Sequence, residues 1–158
     1  MSYKAESKDT AGEKSTDYYD DDSKHIIDPV NVEITSIRIH PLKGGVTDGF
    51  DLEIDFHLDR DVVAGQWIIK FLVDMTHQRL ITVLGETPVE DYMEGSNDMS
   101  FSTSLVDISH IKPSTLANSA LLMACLKVDG EEVMSVNIVA NVTHGKSGEL
   151  IREFLLPM

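Results

Sequence analysis

Six histidines (His25, His40, His57, His77, His110 and His144) and one cysteine, Cys125, are the side chains best suited to metal or nucleophilic chemistry in this chain. Their spacing serves neither. No two histidines fall at zinc-ligand separation, and Cys125 has no second thiol to share a site. Cys125 lies inside the apolar alternating run ALLMACLKV (120–128), where it reads as a small hydrophobe, and no G-x-S-x-G elbow occurs. HGKSGE (144–149) has the look of a phosphate loop, but Ala140 stands where that motif needs glycine. Too little chain follows it to supply a magnesium-holding strand. Carboxylate pairs such as Asp59 with Asp61, or Glu90 with Asp91, fall in expected turns, where nothing would tune them for acid–base catalysis. The chain therefore reads as non-catalytic, with no cofactor and no metal expected.

Charge narrows the class of partner. The 158 residues carry 27 acids against 13 Lys+Arg, a formal net charge of -14. Phosphates would be repelled, which argues against direct binding to nucleic acid or an anionic membrane. A basic protein partner is compatible with this balance, and so is plain solubility. No apolar run approaches a membrane span, and MSYKAESKDT has no hydrophobic core of a secretory signal. With a single cysteine, an intracellular, reducing location in nucleus or cytoplasm is expected, without secretion. The Asn141-Val142-Thr143 sequon is then without consequence. The sequence carries no signal for oligomeric state.

The elements that must position any binding residues begin after residue 28. Residues 1–28 are polar and charged, with almost no aliphatics before Ile26, too few to offset the entropy of ordering. A disordered acidic arm is expected there; DYYDDD (17–22) is either a docking or modification patch or an inert solvated tail. From Pro29 the period becomes two. VNVEITSIRIH (30–40) changes phase near Thr35-Ser36, which predicts a bulge, and FDLEIDFHL (50–58) alternates apolar with Asp, Glu and His. QWIIKFLVD (66–74), RLITVLG (79–85), MSFSTSLVDI (99–108) and ALLMACLKV (120–128) follow as strands. PLKGGVTDG (41–49) and ETPVEDYMEGSND (86–98) read as turns, and SHIKPSTLANS (109–119) as irregular with one helical turn. Asp129-Gly130 between two alternating runs signals a hairpin. The expectation is roughly seven strands in an immunoglobulin-like antiparallel β-sandwich over 29–145, an all-β fold. The tail 146–158 forms a short helix after Ser147 or docks Leu150, Phe154 and Leu155.

The last alternating run, EEVMSVNIVANVTH (131–144), splits into two rows. Met134, Val136, Ile138, Ala140 and Val142 suit a core. Val133, Ser135, Asn137, Val139 and Asn141 mix amides and a hydroxyl with aliphatics, and face either water or a partner.

In their order, VNVEITSIRIHP, FDLEIDFHL, QWIIKFLVD, RLITVLGETPV, VDISHIKPSTLANSALLMACLKVDGEEV and MSVNIVANVTH resemble the anti-silencing-function histone chaperones, over about 115 residues. The resemblance implies an immunoglobulin-like sandwich that binds a histone dimer through one sheet and partner peptides on another surface. It places the partner-binding row on Leu121 and Met123 and on Val133, Ser135, Asn137, Val139 and Asn141. The sequence departs from the family where recognition would be strongest. Ser135 replaces an arginine, Ile138 and Val139 replace adjacent tyrosines, DMTHQR shortens an acidic loop, and Val63-Ala64 replaces an acidic pair, with Asp59 and Asp61 nearby. A charge-assisted contact is worth about 1.5–3 kcal/mol, and arginines and aromatics dominate hot spots. Two functions stay open: a divergent histone-binding module, or an adaptor or scaffold subunit of a non-histone complex, cytoskeletal or ciliary, using the same face. Val133, Val139, Leu121 and Met123 would form an apolar patch able to accept a strand or an amphipathic helix. Alternatively, ELIREFLL (149–156) folds back and covers that patch.

Overall fold

Period-two alternation runs through most of the chain, and strands follow from it. The computed structural model describes residues 29–74, 79–116 and 119–157. These form β1 (Val32–His40), β2 (Lys43–Gly45), β3 (Asp48–Leu58), β4 (Val62–Asp74), β5 (Arg79–Glu86), β6 (Glu90–Tyr92), β7 (Gly95–Leu105), the helical turn α1 (Pro113–Leu116), β8 (Ser119–Val128), β9 (Glu131–His144) and β10 (Leu150–Leu155). All strand pairs are antiparallel, and the fold is an immunoglobulin-like β-sandwich. One sheet has three strands in the order β1-β3-β7. The other has seven, in the order β2-β10-β9-β8-β4-β5, with β6 beside β4.

The core lies between the sheets and is built from the apolar rows. Phe50, Leu52, Ile54, Phe56 and Leu58 of β3 are buried, while Asp51, Glu53 and His57 between them are exposed. Trp67, Ile69, Phe71 and Val73 of β4, Leu122 and Leu126 of β8, and Val136, Ile138, Ala140 and Val142 of β9 supply the opposite layer. Phe56 meets Trp67 and Tyr92 edge-on, with ring centroids 5.2 and 5.4 Å apart. Such tilted aromatic contacts add to burial because ring edges are positive and faces negative.

Two local devices set the register. The phase change in β1 is a bulge between Ile34 and Ser36 against β3, which is why one strand buries both Val32 and Ile39. The β8–β9 hairpin turns through Asp129 and Gly130, with φ of 51° and 83°. Both central residues of a type I′ turn need positive φ, which suits its twist to the strands it joins.

Three segments differ from the sequence expectation. The turn region 41–49 contains β2, and 86–98 contains β6 and the start of β7. The tail is not a helix: Leu150–Leu155 is an edge strand paired with Val139–His144 of β9 and, on its other side, with Lys43–Gly45 of β2. Leu150 and Phe154 share a face in either conformation, four residues being close to one helical turn and also an even strand interval. Open strand edges on both sides decide for the strand. The expectations for residues 1–28, and for 75–78 of the shortened loop, lie outside the described residues.

Beside the core sits an anomaly. Arg152 of β10 is fully buried; its Nη1 donates to the carbonyls of Val46 (3.2 Å) and Asp48 (2.8 Å). Its guanidinium carbon lies 4.5 Å from the Phe154 ring centroid and 5.6 Å from that of Phe50, and its Nε and Nη2 have no partner. Burial pushes its pKa down, opposed by the charge of Asp48.

Candidate functional site

Strand register lines up the outward side chains of the seven-stranded sheet in rows. Ile81 of β5 stands opposite Leu72 of β4, Leu72 opposite Leu121 of β8, Leu121 opposite Val139 of β9, and Val139 opposite Leu155 of β10. Five aliphatic side chains thus form one cross-strand row. Four spacings of about 4.8 Å make it about 19 Å long. Leu72 is shielded by its neighbours, whereas Ile81, Val139 and Leu155 are 54%, 39% and 48% exposed. No described segment lies over them.

The next row reads Val83, Lys70, Met123, Asn137, and the one after it Glu86, Ile68, Cys125, Ser135. Cys125 is buried, with Sγ 3.7 Å from the Ser135 hydroxyl, which in turn donates to Asn137 Oδ1 at 3.0 Å. Burial pushes the Cys125 thiol pKa up, so it is held as a thiol rather than as a nucleophile. By register, Lys43, Lys70 and Lys127 share this face with Glu86, Glu132 and Glu153. The large sheet's outer face is therefore apolar with balanced charge, although the chain as a whole is strongly acidic.

A row of carboxylates lies on the opposite surface. Asp51, Glu53 and Asp55 alternate along the outer side of β3. Arg38 of β1 bridges two of them, donating to Glu53 at 3.0 Å and to Asp55 at 2.9 and 3.2 Å. That guanidinium holds the Asp55 carboxyl below the usual carboxylate range. The carboxylates near Val63-Ala64 are engaged locally. Asp59 accepts from Arg60 and from the Asn31 amide, Asp61 accepts from the Glu94 amide at 2.7 Å, and Asp91 accepts from the Ala64 amide at 3.0 Å.

Of the residues singled out in the sequence, Leu121, Met123, Ser135, Asn137, Val139 and Asn141 share the outward face. Val133 stands apart: it sits at a bulge between Glu132 and Met134 and lines a hollow with Pro29, Val30 and Val128. The ELIREFLL segment does not fold back over the patch. It extends the sheet in its own plane and adds Leu155 to the row. Sequence reasoning missed Ile81, Leu72 and Leu155. Alternation in RLITVLG marks Ile81 and Val83 as one face, but only strand order makes it the same face as Val139. Among the described residues, no group of three or more His, Cys, Asp or Glu side chains is placed to hold a metal ion, and no helix is long and apolar enough to cross a membrane. No family model matches the chain, and no curated protein matches it.

Proposed function

We propose that this protein is a non-catalytic binding module that docks a partner polypeptide on the outer face of its seven-stranded sheet. The observation that carries this is the uncovered row Ile81–Leu72–Leu121–Val139–Leu155. Apolar side chains aligned across five strands are expected either beneath a packed element or beneath a partner. At a rise of 1.5 Å per residue, about 13 residues of helix match the row's length. An amphipathic helix with a mixed-charge polar face fits it best, because lysines and glutamates flank the row in equal measure. This is the chemistry of an adaptor or scaffold subunit.

A histone dimer is the second reading, favoured by the family resemblance and by the carboxylates of β3. The outer face itself offers neither the arginine nor the tyrosines of that family, since Ser135 and Val139 occupy their places.

The test is crosslinking affinity purification of the intact chain beside an Ile81→Asp/Val139→Asp variant, both sites being exposed enough to leave the fold intact. Crosslinks mapping to β5, β8 and β9 and lost in the variant are expected. A variant that keeps every partner of the wild type would remove the proposal. Retention of purified histone dimers at physiological salt, lost in the same variant, would select the second reading.

A further inference from the structure

We propose that the outer face of the seven-stranded sheet pairs with the same face of a second copy, so that the chain masks its own docking surface until a partner displaces that copy. This rests on the reading of the face as a docking surface and adds its regulation. The order of side chains across the sheet carries the inference. In the row Ile81–Leu72–Leu121–Val139–Leu155, Leu121 of β8 is the central residue, with two aliphatic side chains on either side of it. A two-fold axis lying between the copies and running along β8 lays this row on itself. Leu121 then faces Leu121, Leu72 faces Val139, and Ile81 faces Leu155. A surface that matches its own rotated image is what a two-fold dimer requires.

Charge agrees with the same axis. One row away, Arg79 of β5 and Glu153 of β10 lie at equal distances on either side of β8, so Glu153 of one copy falls over Arg79 of the other. In the row on the other side of the aliphatic one, Lys70 of β4 falls over Asn137 of β9. No like charges meet among these described residues. The net charge of -14 on each copy opposes approach at long range, but physiological salt screens it beyond about 8 Å.

Size is sufficient as well. Five strands about 4.8 Å wide and four rows about 6.7 Å deep cover about 650 Å² per copy, or about 1,300 Å² in the pair. A specific interface needs about 1,000 Å². Sheets stack about 10 Å apart with strands about 30° from aligned, so the facing sheet also reaches Met123 and the exposed Val83 in the next row.

Sedimentation velocity of the purified full chain at physiological salt, from about 1 to 200 μM, reads the pairing. A concentration-dependent dimer with no larger species is expected, because a two-fold contact closes on itself. Val139→Asp and Leu155→Asp each bury an unpaired charge in the facing layer and should weaken the dimer at least about tenfold. Ser100→Asp, exposed on the three-stranded sheet, should leave it unchanged. Fluorescence of the buried Trp67 reports that each variant is folded. A short bis-maleimide should join Leu121→Cys, which sits on the axis, to its copy and should not join Ser100→Cys. A chain that stays monomeric at every concentration would overturn the self-pairing alone, since partner docking is read separately from its crosslinks. A dimer indifferent to both Val139→Asp and Leu155→Asp would overturn it too, because its contact would lie elsewhere.

Discussion

Ile138 and Val139 are neighbours on one strand, and the sandwich assigns them opposite fates. Ile138 is fully buried in the core, while Val139 is 39% exposed on the outer face. Ile138→Ala leaves a void among close-packed side chains, with an expected loss of about 3–4 kcal/mol. Val139→Ala removes two methyl groups that are only partly covered, with a loss of about 0.5–1 kcal/mol. The lower strand preference of alanine enters both changes and cancels in their difference. What remains is about 2.5 kcal/mol. With a slope of about 2 kcal/mol per molar urea, the two unfolding midpoints separate by about 1.2 M. Urea unfolding followed by Trp67 fluorescence reads this directly, the indole being fully buried in the folded state. Equal losses, or a larger loss at Val139, would refute the register. Because a one-residue slip exchanges the two rows, that result would also remove the docking face.

Arg152→Met is expected to be neutral or stabilising by about 1 kcal/mol. It gives up two hydrogen bonds and a cation–π contact, but it relieves a buried charge without a carboxylate partner and two donors without acceptors. Methionine keeps the apolar stem between Phe50 and Phe154, whereas Arg152→Ala leaves a void there and loses about 3 kcal/mol. Urea midpoints for both variants check the pair, and a methionine variant no more stable than the alanine one would show the guanidinium to be needed. Acid stability gives the last expectation. Hydrogen bonds from Arg38, from Arg60 and from Ser109 hold the carboxyls of Asp55, Asp59 and Asp107 below their usual range. A carboxylate with a lowered folded pKa stabilises the fold above its unfolded value and loses that contribution as pH falls through the folded one. The thermal midpoint should therefore hold from pH 7 to 5 and drop below about pH 4. Asp55→Asn should flatten that drop, and an unchanged acid limb would sink the reasoning.

The strands were legible where alternation is strict. FDLEIDFHL contrasts apolar and charged side chains at every step, so its face and its burial follow from the letters alone. The bulge at Thr35 was legible as a change of phase, and the β8–β9 turn as an Asp-Gly pair. Short edge strands were not, because β2 and β6 are three residues long and, Tyr92 apart, made of turn-forming or charged types. Their strand character comes from the neighbour that pairs with them. The tail stayed open between a helix and a docked segment for a related reason: its spacing satisfies helix and strand alike, and only the edge of β9 distinguishes them.

The candidate site shows a deeper limit. Row partners such as Ile81 and Leu155 are far apart in sequence, and no local pattern connects them. What connects them is strand order, with β4 placed between β5 and β8, and β9 between β8 and β10. The sequence supplies each strand's two faces but not which faces of different strands coincide. Charge follows the same logic. A net charge of -14 is compatible with a basic partner and with plain solubility alike, and it does not say where the charge lies: Asp51, Glu53 and Asp55 are on the three-stranded sheet while the large sheet's outer face is balanced. The β3 carboxylates and the exposed apolar row thus lie on opposite sides of the sandwich. A partner bound by the exposed row owes little to the overall charge, so its affinity should change little between low and physiological salt.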